Sequence, residues 1–250
     1  MKAWFVSDIH ITDSEDPRLQ CFESFLRERL TDGTTHLFLV GDIFDLWVGG
    51  HEFFAKRYEG VVNIIRQLRT KSIEIIYFEG NHDLHLQGYW ADELNCRVAV
   101  MPEYFDLGKF RVRVEHGDEM NPDDKGYLFL RTVLRTAPVE NLVHVLPGSI
   151  IQGIGNRMSR SSRKYTSSSM KERNDQAIQG MIRTHALKVF ESDEPFDLII
   201  SGHVHTRDDF AWKDEATGRD VRSINLGCWL KDQEPQALCL DAGGARFVTV

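Results

Sequence analysis

Residues 36–49 read HLFLVGDIFDLWVG, and this stretch decides how the chain as a whole is interpreted. Its apolar run Leu37–Val40 has the length of a buried strand and ends directly in glycine and aspartate. Four other apolar runs also end in polar motifs: DIH at 8–10, GNHD at 80–83, HGD at 116–118 and GHVH at 202–205. Because the carboxyl ends of strands carry the chemistry of open α/β sheets, we expect the five motifs to converge.

The apolar runs alternate with helical patterns, which predicts an α/β core. Strands are expected at Ala3–Ser7, Leu37–Val40, Ile73–Phe78, Phe110–Val114 and Leu198–Ser201. Helical spacing of apolar residues covers Leu19–Leu30 and Phe53–Leu68. The C-terminal third has four more strand-like runs, which we expect to form an antiparallel meander that closes a second sheet. These runs are Asp209–Lys213, Val221–Leu226, Gln236–Asp241 and Arg246–Val250.

Composition narrows the class of protein. A chain of 250 residues is expected to form one large domain or one domain with an inserted subdomain. With 30 Lys and Arg against 38 Asp and Glu, the net charge is −8, which argues against a nucleic-acid partner. The four cysteines lack the spacing of a zinc or redox site, and MKAWFVSDIH does not resemble a signal peptide, so we expect a reducing, cytoplasmic location. No apolar run approaches the ~20 residues of a membrane span.

The five motifs together supply carboxylate, amide and imidazole side chains. The candidate metal ligands are Asp8, His10, Asp42, Asn81, His116, His203 and His205. Mixed nitrogen and oxygen donors suit Mn²⁺, Fe or Zn²⁺ better than Ca²⁺ or Mg²⁺. Seven ligands are too many for one ion but fit two ions that share one carboxylate. Two ions about 3.5–4 Å apart activate water and hold a phosphoryl oxygen, so the pattern predicts a two-metal hydrolase.

An ordinary turn or helix cap is the alternative interpretation of each motif taken alone, since GD, GN and HG are common in loops. The five motifs together, in this order and each after a strand, favour the metal site. The other five histidines are expected to be structural or exposed: His36, His51, His85, His144 and His185.

The pattern DxH, GDxxD, GNHD, HGD and GHxH resembles that of the calcineurin-like metallophosphoesterases over nearly the whole chain. The resemblance implies a two-sheet αββα sandwich with two metal positions. The first would be held by Asp8, His10, Asp42 and His205, and the second by Asp42, Asn81, His116 and His203. It further implies that His82 stabilises the transition state or protonates the leaving group, and that Asp83 orients His82. A histidine that only makes a loop hydrogen bond is the alternative for His82.

A closer resemblance is to the UDP-2,3-diacylglucosamine pyrophosphatases of lipid A biosynthesis. Three stretches carry it: GDIFDLWVG at 41–49, HGDEMNPDDKGYLFLR at 116–131 and LPGSIIQGIGNRMSRSSRKYT at 146–166. It implies metal-dependent hydrolysis, with Mn²⁺ the favoured ion, that yields 2,3-diacylglucosamine 1-phosphate and UMP. The chain departs from this family at GNHD, where GNRD is common. His82 thus replaces a fixed phosphate clamp with a group that can also transfer a proton.

An insertion at about residues 121–190 interrupts the expected metallophosphoesterase domain, 1–250. Its apolar positions predict helices at Tyr127–Leu134 and Val139–Leu146, and Gly148–Arg173 carries six Lys or Arg against one acid. We expect a helical lid whose apolar face takes acyl chains and whose basic face meets phosphates or anionic headgroups. Any membrane contact would be peripheral, on the inner face of the cytoplasmic membrane. The alternative is that the apolar positions only pack the insertion onto the core.

Substrate contacts follow from the resemblance by position: Asn81, His82, Asp124, Tyr127, Ser162, Thr166, Lys171 and His203. The expected partner is a lipid-linked sugar nucleotide. Two other hypotheses stay open. One is a related dinuclear metallophosphoesterase for another phosphodiester, nucleotide or phosphoprotein, which His82 favours. The other is a non-catalytic metal-binding or membrane module, which the full set of ligands disfavours.

Overall fold

Two β-sheets form the centre of the protein in the computed structural model, which describes residues 1–155, 175–230 and 234–250. The strands are β1 Ala3–Val6, β2 His36–Val40, β3 Trp47–Val48, β4 Glu74–Phe78, β5 Asp83–Leu84, β6 Arg97–Ala99, β7 Glu103–Leu107, β8 Phe110–Val114, β9 Leu198–Ser201, β10 Asp208–Lys213, β11 Asp220–Asn225, β12 Gln236–Asp241 and β13 Gly244–Thr249. One sheet has the order β13-β12-β1-β2-β4-β6 and the other the order β10-β11-β9-β8-β7. The strands β1, β2 and β4 are parallel, as are β8, β9 and β11, so each set ends at one edge of its sheet.

An apolar layer fills the space between the two sheets. Phe5 and Phe38 from the first sheet stack with their ring centroids 4.4 Å apart. The same cluster contains Val112 and Ile200 from the second sheet, and all four side chains are buried. Burial of this much apolar surface is the main force that holds the sheets together.

Helices cover the outer face of each sheet. Three helices pack on the first sheet: α1 Pro17–Arg29, α2 Glu52–Arg57 and α3 Glu59–Thr70. On the second sheet, Ala186 of the long helix Asp175–Ser192 packs against Ile199 and Val221. The order helix, sheet, sheet, helix confirms the expected αββα sandwich.

The expected C-terminal meander is wrong, because its four strands divide between the two sheets. The strands β10 and β11 extend the second sheet, whereas β12 lies between β1 and β13 in the first. A central strand buries both of its faces, and β12 does so. Leu238 and Leu240 face the layer between the sheets, while Ala237 and Cys239 belong to the cluster beneath the helices.

The single helix expected at Phe53–Leu68 is also a misreading, since α2 and α3 meet at Tyr58. The backbone of Tyr58 has φ −116° and ψ 36°, outside the helical range. Its ring is buried and its hydroxyl donates to the carbonyl of Ile11 at 3.1 Å. Apolar spacing did not reveal the break because both helices bury residues against the same cluster.

A two-stranded parallel sheet, formed by β3 and β5, connects two of the motif loops. It pairs Trp47 with Asp83, and the N–H of Trp47 donates to the carbonyl of His82 at 2.9 Å. Strands of two residues are too short to produce a recognisable sequence pattern. Their effect is to fix GDIFD beside GNHD.

The insertion begins with two helices, α4 Lys125–Leu134 and α5 Ala137–Val145, which confirms both predicted helices. A further helical segment covers 148–155. The Nε2 atoms of His85 and His51 lie 2.9 Å and 2.8 Å from the carbonyl oxygens of Leu134 and Val143. These histidines thus satisfy carbonyls in the last turns of both helices. Within the described ranges, no helix has the length and apolar character needed to cross a membrane.

Candidate metal centre

The five motif loops meet where the carboxyl ends of β1, β2 and β4 approach those of β8 and β9. Backbone hydrogen bonds continue the strand pairing into these loops. The N–H of Asp8 donates to the carbonyl of Gly41 at 3.1 Å, and that of His10 to the carbonyl of Asp42 at 3.0 Å. In the second sheet, the N–H of Gly202 donates to the backbone carbonyl of His116 at 2.9 Å. The expected convergence of the motifs is therefore present.

One group of candidate ligands consists of Asp8, His10 and His205, whose ligand atoms lie within 4.8 Å of one another. The Nε2 atoms of His10 and His205 are 3.0 Å apart, and Nε2 of His205 is 3.3 Å from Oδ1 of Asp8. Three donor atoms therefore point at one small volume, as the ligands of a single cation do.

Asp42 lies between this group and a second one. Its Oδ2 is 3.9 Å from Nε2 of His10 and 3.7 Å from Nε2 of His116. Beyond it, Nδ2 of Asn81 is 3.1 Å from Nδ1 of His203, and the rings of His116 and His203 lie 5.2 Å apart. The structure thus brings all seven expected ligands together, with Asp42 in reach of both groups.

The hydrogen bonding of His116 fits a metal ligand. Its Nδ1 donates to the carbonyl of Val40 at 2.9 Å, so Nε2 is the ring atom left to bind a metal. Within the part of the chain that the structure describes, this buried Nε2 has no hydrogen-bond partner. A buried polar atom without a partner costs about 1–3 kcal/mol, and a bound cation would remove that cost.

The electrostatics of the site favour neutral imidazoles at two positions. Burial lowers the pKa of His10 to about 3 and that of His203 to about 4, so both rings have a free lone pair at neutral pH. Burial acts against the charged form of His116 as well, but the carboxylates of Asp42 and Asp8 raise the pKa of His116 to about 9. Metal binding at this ring therefore displaces a proton.

Left-handed backbone conformation is concentrated at the candidate ligands. Five of the seven have φ between 51° and 71°: Asp8, His10, Asp42, His203 and His205. For residues other than glycine this region costs about 1–2 kcal/mol each, and such strain collects at functional sites. Gly41 also has a positive φ of 82°, and a Cβ there would collide with the ring of His116. Sequence patterns did not reveal this conformation at the histidines.

His82 lies beside the first group, but its support differs from the expected one. Its Nδ1 is 2.8 Å from the backbone carbonyl of Asp45 and 3.9 Å from Oδ1 of the same residue. The expected orienting role of Asp83 is corrected, because its carboxylate accepts the backbone N–H groups of Asp42, Ile43 and Gly80. With Nδ1 so engaged, His82 has its other nitrogen available to the site. A ligand atom of His82 lies within 4.8 Å of those of His10 and Asp42.

Two of the expected substrate contacts from the insertion lie at the start of α4. Asp124 caps the helix by accepting the N–H of Tyr127 at 3.0 Å. The hydroxyl of Tyr127 donates to Oδ1 of Asn81, and its ring lies 5.5 Å from that of His203. Three further predicted contacts, Ser162, Thr166 and Lys171, lie outside the described residues.

Sequence reasoning missed several residues that hold the loops. Arg131 pairs with Asp118 of HGD, and an Nη of Arg135 lies 3.3 Å from the carbonyl of Gly80. Asn225, fully buried, donates from Nδ2 to the carbonyl of Gly202 at 2.7 Å. Two sequence signals were available. Arg131 and Arg135 follow Tyr127 at intervals of four residues, and Asn225 is a polar residue at the end of a buried strand.

The fold and this cluster define a metal-dependent phosphoesterase, and the chain belongs to the calcineurin-like phosphoesterase family, whose model matches residues 1–207. Members of this family use dinuclear metal sites. A UDP-2,3-diacylglucosamine hydrolase from Photorhabdus laumondii is 27% identical over 205 residues, 82% of each chain. A relative of the same name from Pseudomonas paraeruginosa is 26% identical over 249 residues, 98% of each chain. Among solved structures, a dimetal phosphatase from Danio rerio has a TM-score of 0.46 and 13% identity, covering 100% of this chain and 98% of that one.

Proposed function

We propose that the protein hydrolyses the pyrophosphate of UDP-2,3-diacylglucosamine to 2,3-diacylglucosamine 1-phosphate and UMP. The observation that carries this proposal is the position of α4, which brings Tyr127 of the insertion against Asn81 and His203 of the candidate metal centre. A substrate that reached the metals would therefore touch the insertion. The names of relatives that align over nearly the whole chain support the same substrate.

Two divalent ions, of which Mn²⁺ is our first choice, complete the proposed site. Asp8, His10, Asp42 and His205 would hold one ion, and Asp42, Asn81, His116 and His203 the other. When bound, the two ions supply the Lewis acidity that activates water and neutralises charge on the phosphates. The pyrophosphate itself would lie between the loops and α4.

The proposed reaction exchanges one P–O bond for another. The oxygen of water forms a bond to one phosphorus atom, while the bond from that phosphorus to the bridging oxygen breaks. The attacking water releases a proton to solvent and the leaving phosphate takes one up. In this proposal His82 supplies that proton from the nitrogen that faces away from Asp45 and regains one from solvent. Because Asp45 fixes the ring, His82 needs no reorientation to act.

Exposed apolar side chains of the insertion support the lipid part of the substrate. Of twelve large apolar side chains exposed in the described ranges, seven lie between positions 129 and 154. Phe129 is 72% exposed and Val145 81% exposed, which is unusual for helices that only pack onto a core. We propose that this surface receives the acyl chains and rests peripherally on an anionic membrane face, next to the cytoplasm.

The test is hydrolysis of UDP-2,3-diacylglucosamine by Mn²⁺-loaded full-length protein, with UDP-N-acetylglucosamine and a soluble aryl phosphodiester as comparison substrates. We expect clear preference for the diacylated nucleotide. His116→Ala should lower the rate by more than about a hundredfold, beyond the usual cost of losing a residue outside the ligand shell. His36→Ala removes an imidazole at the start of β2, at the end of that strand away from the motif loops, and serves as the matched control.

A second candidate function is hydrolysis of a soluble phosphodiester or nucleotide by the same metals. The observation that favours it is His82 itself, at the position where the lipid A enzymes commonly have arginine. Equal or faster turnover of the soluble substrates, with His116→Ala still inactive, would replace the lipid proposal by this one. If His116→Ala loses metal but the wild type hydrolyses none of these substrates, both candidate functions are contradicted.

A further inference from the structure

One face of α4, continued by its C-cap residue Arg135, contacts the motif loops through three side chains spaced four residues apart. Tyr127 reaches Asn81, Arg131 reaches Asp118, and Arg135 reaches the carbonyl of Gly80. A spacing of four residues places side chains on the same face of a helix. The Nη1 atom of Arg131 also lies 2.9 Å from Oε1 of Glu119. The helix is therefore attached to two motif loops, GNHD and HGD, by polar contacts.

The side chain of Asn81 lies between α4 and the second group of candidate ligands. One end of its amide is bonded to the hydroxyl of Tyr127, and the other is 3.1 Å from Nδ1 of His203. The ring of Tyr127 adds a contact to that of His203, with centroids 5.5 Å apart. The amide thus has little freedom to leave this position while α4 is in place.

Metal binding by Asn81 makes a specific demand on this amide, because metals bind its oxygen and not its NH₂ group. The amide end beside His203 is the one that faces the second metal position, and in the structure that end is Nδ2. A half-turn of the amide exchanges the two ends, so that Oδ1 lies beside His203 and Nδ2 lies beside the hydroxyl of Tyr127. A hydroxyl can donate or accept, so Tyr127 satisfies Nδ2 in that orientation as well. Phenylalanine would leave this NH₂ group without its partner.

We propose that Tyr127 is a positioning residue for the second metal position, and that occupancy of this position and docking of α4 support each other. The proposal rests on the two-metal part of the proposed function and not on the identity of the substrate. Tyr127 acts through Asn81, which it holds against His203 as a ligand. Because such coupling is reciprocal, the second ion stabilises the docked helix to the same extent.

The first experiment is a Mn²⁺ titration of chelator-treated, full-length protein, monitored by calorimetry and by electron paramagnetic resonance. The resonance spectrum separates a single Mn²⁺ from a spin-coupled pair, so it reports the second ion directly. Tyr127→Phe should weaken binding of the second ion by about 10- to 100-fold, the usual effect of losing a partner of a metal ligand, and leave the first unchanged. Thr132→Ala removes a hydroxyl from an exposed position of the same helix and is the matched control.

An unchanged second dissociation constant in Tyr127→Phe would overturn the proposal, as would equal weakening of both ions or the same loss in Thr132→Ala. These outcomes leave the two-metal function intact if the wild type binds a coupled pair. A wild-type protein that binds only one Mn²⁺ would contradict both. Since Tyr127→Phe keeps the ring, its contact with His203 is preserved and the hydroxyl alone is tested.

Hydrogen exchange gives a readout that does not depend on spectroscopy of the metal. The amides of 125–134 should exchange more slowly on addition of the second equivalent of Mn²⁺, and this slowing should be reduced at least severalfold in Tyr127→Phe. Slowing that is complete after the first equivalent, or equal in the variant, would contradict the coupling between α4 and the second position.

Discussion

Asp83 accepts a hydrogen bond from the backbone N–H of Asp42 at 3.0 Å, although 41 positions separate the two residues. The same buried carboxylate accepts the N–H of Ile43 at 3.0 Å, that of Gly80 at 2.7 Å and the hydroxyl of Tyr77 at 2.6 Å. One side chain therefore joins the loop that carries Asp42 to the loop that carries Asn81. Asp83 has a structural role, and that role determines the positions of the candidate ligands Asp42 and Asn81.

Replacement of Asp83 by asparagine should destabilise the protein strongly. The new NH₂ group would face buried N–H donors, and the remaining oxygen can satisfy only part of the four. We expect a loss of about 2–3 kcal/mol in the free energy of unfolding, measured by urea titration in the presence of chelator. Asp92→Asn, at an exposed position, is the control and should change stability by less than about 0.5 kcal/mol. A stable Asp83→Asn protein would show that the four bonds are not needed together.

Metal stoichiometry should distinguish Asp42 from the other ligands. Because Oδ2 of Asp42 lies between His10 and His116, Asp42→Ala should weaken both ions, whereas His205→Ala should weaken chiefly the one beside Asp8. Elemental analysis after gel filtration should give two ions per wild-type chain, about one for His205→Ala and close to none for Asp42→Ala. Asp106→Ala removes an exposed carboxylate on β7 and should retain both. Equal metal content in the Asp42 and His205 variants would refute the shared role of Asp42.

Asp16, the N-cap residue of α1, should make a pH-dependent contribution to stability. Burial disfavours the ionised form of its carboxyl group, but hydrogen bonds from Arg18 and from the N–H of Thr12 outweigh burial and lower the pKa of Asp16 to about 2. A lowered pKa means that the stabilisation is present above about pH 4, where the unfolded carboxyl is also ionised, and is lost as the pH falls toward 2. Asp16→Ala should therefore cost about 1 kcal/mol at pH 7, and this difference should shrink below pH 4.

Urea denaturation of the two proteins at several pH values provides the measurement. Glu15→Ala, at an exposed neighbouring position, should show no such dependence. If the difference in unfolding free energy between wild type and Asp16→Ala increased as the pH fell, the pKa of Asp16 would be raised and not lowered. The cap also bears on the metal centre, because Arg18 donates to the carbonyl of Ile9 at 2.9 Å, between Asp8 and His10.

The thiols should react slowly in the native protein. Burial raises the pKa of Cys96 to about 12 and that of Cys228 to about 11, and it raises the pKa of Cys21 and Cys239 too. Because the thiolate is the nucleophile, alkylation by iodoacetamide at pH 8 should be slow until the chain is unfolded. Peptide mass spectrometry with and without urea measures each site, and the half-buried Cys21 should react first. Rapid native labelling of Cys96 would contradict its burial.

The convergence of the ligands could be predicted from the sequence because each follows a recognisable apolar strand. Asp8 and His205 are nearly 200 positions apart, yet their side chains approach to 3.3 Å, as the motif order indicates. This works because strand ends in a layered α/β fold lie at one edge. The type of side chain then indicates the chemistry without knowledge of the distances.

What the sequence could not supply depends on tertiary pairing. The strand β12 lies beside β1 because its apolar faces cover parts of the core that the other elements leave exposed. Its sequence, QALCLD, does not indicate which strand it pairs with. The partners of Asp83 are backbone groups, which have no residue identity to recognise. The link from Tyr127 to Asn81 depends on how α4 lies over the loops, and helical periodicity gives only which residues share a face.

The division of the ligands between two sheets has a consequence for synthesis on the ribosome. Asp8, His10, Asp42 and Asn81 emerge early and follow strands of the first sheet, whereas His116, His203 and His205 follow strands of the second. Even β1 has a neighbour, β12, that is translated after all of them. A nascent chain therefore has no complete pocket until the GHVH motif at 202–205 has left the exit tunnel, so the candidate ligands come together only after strands of both sheets have been synthesised.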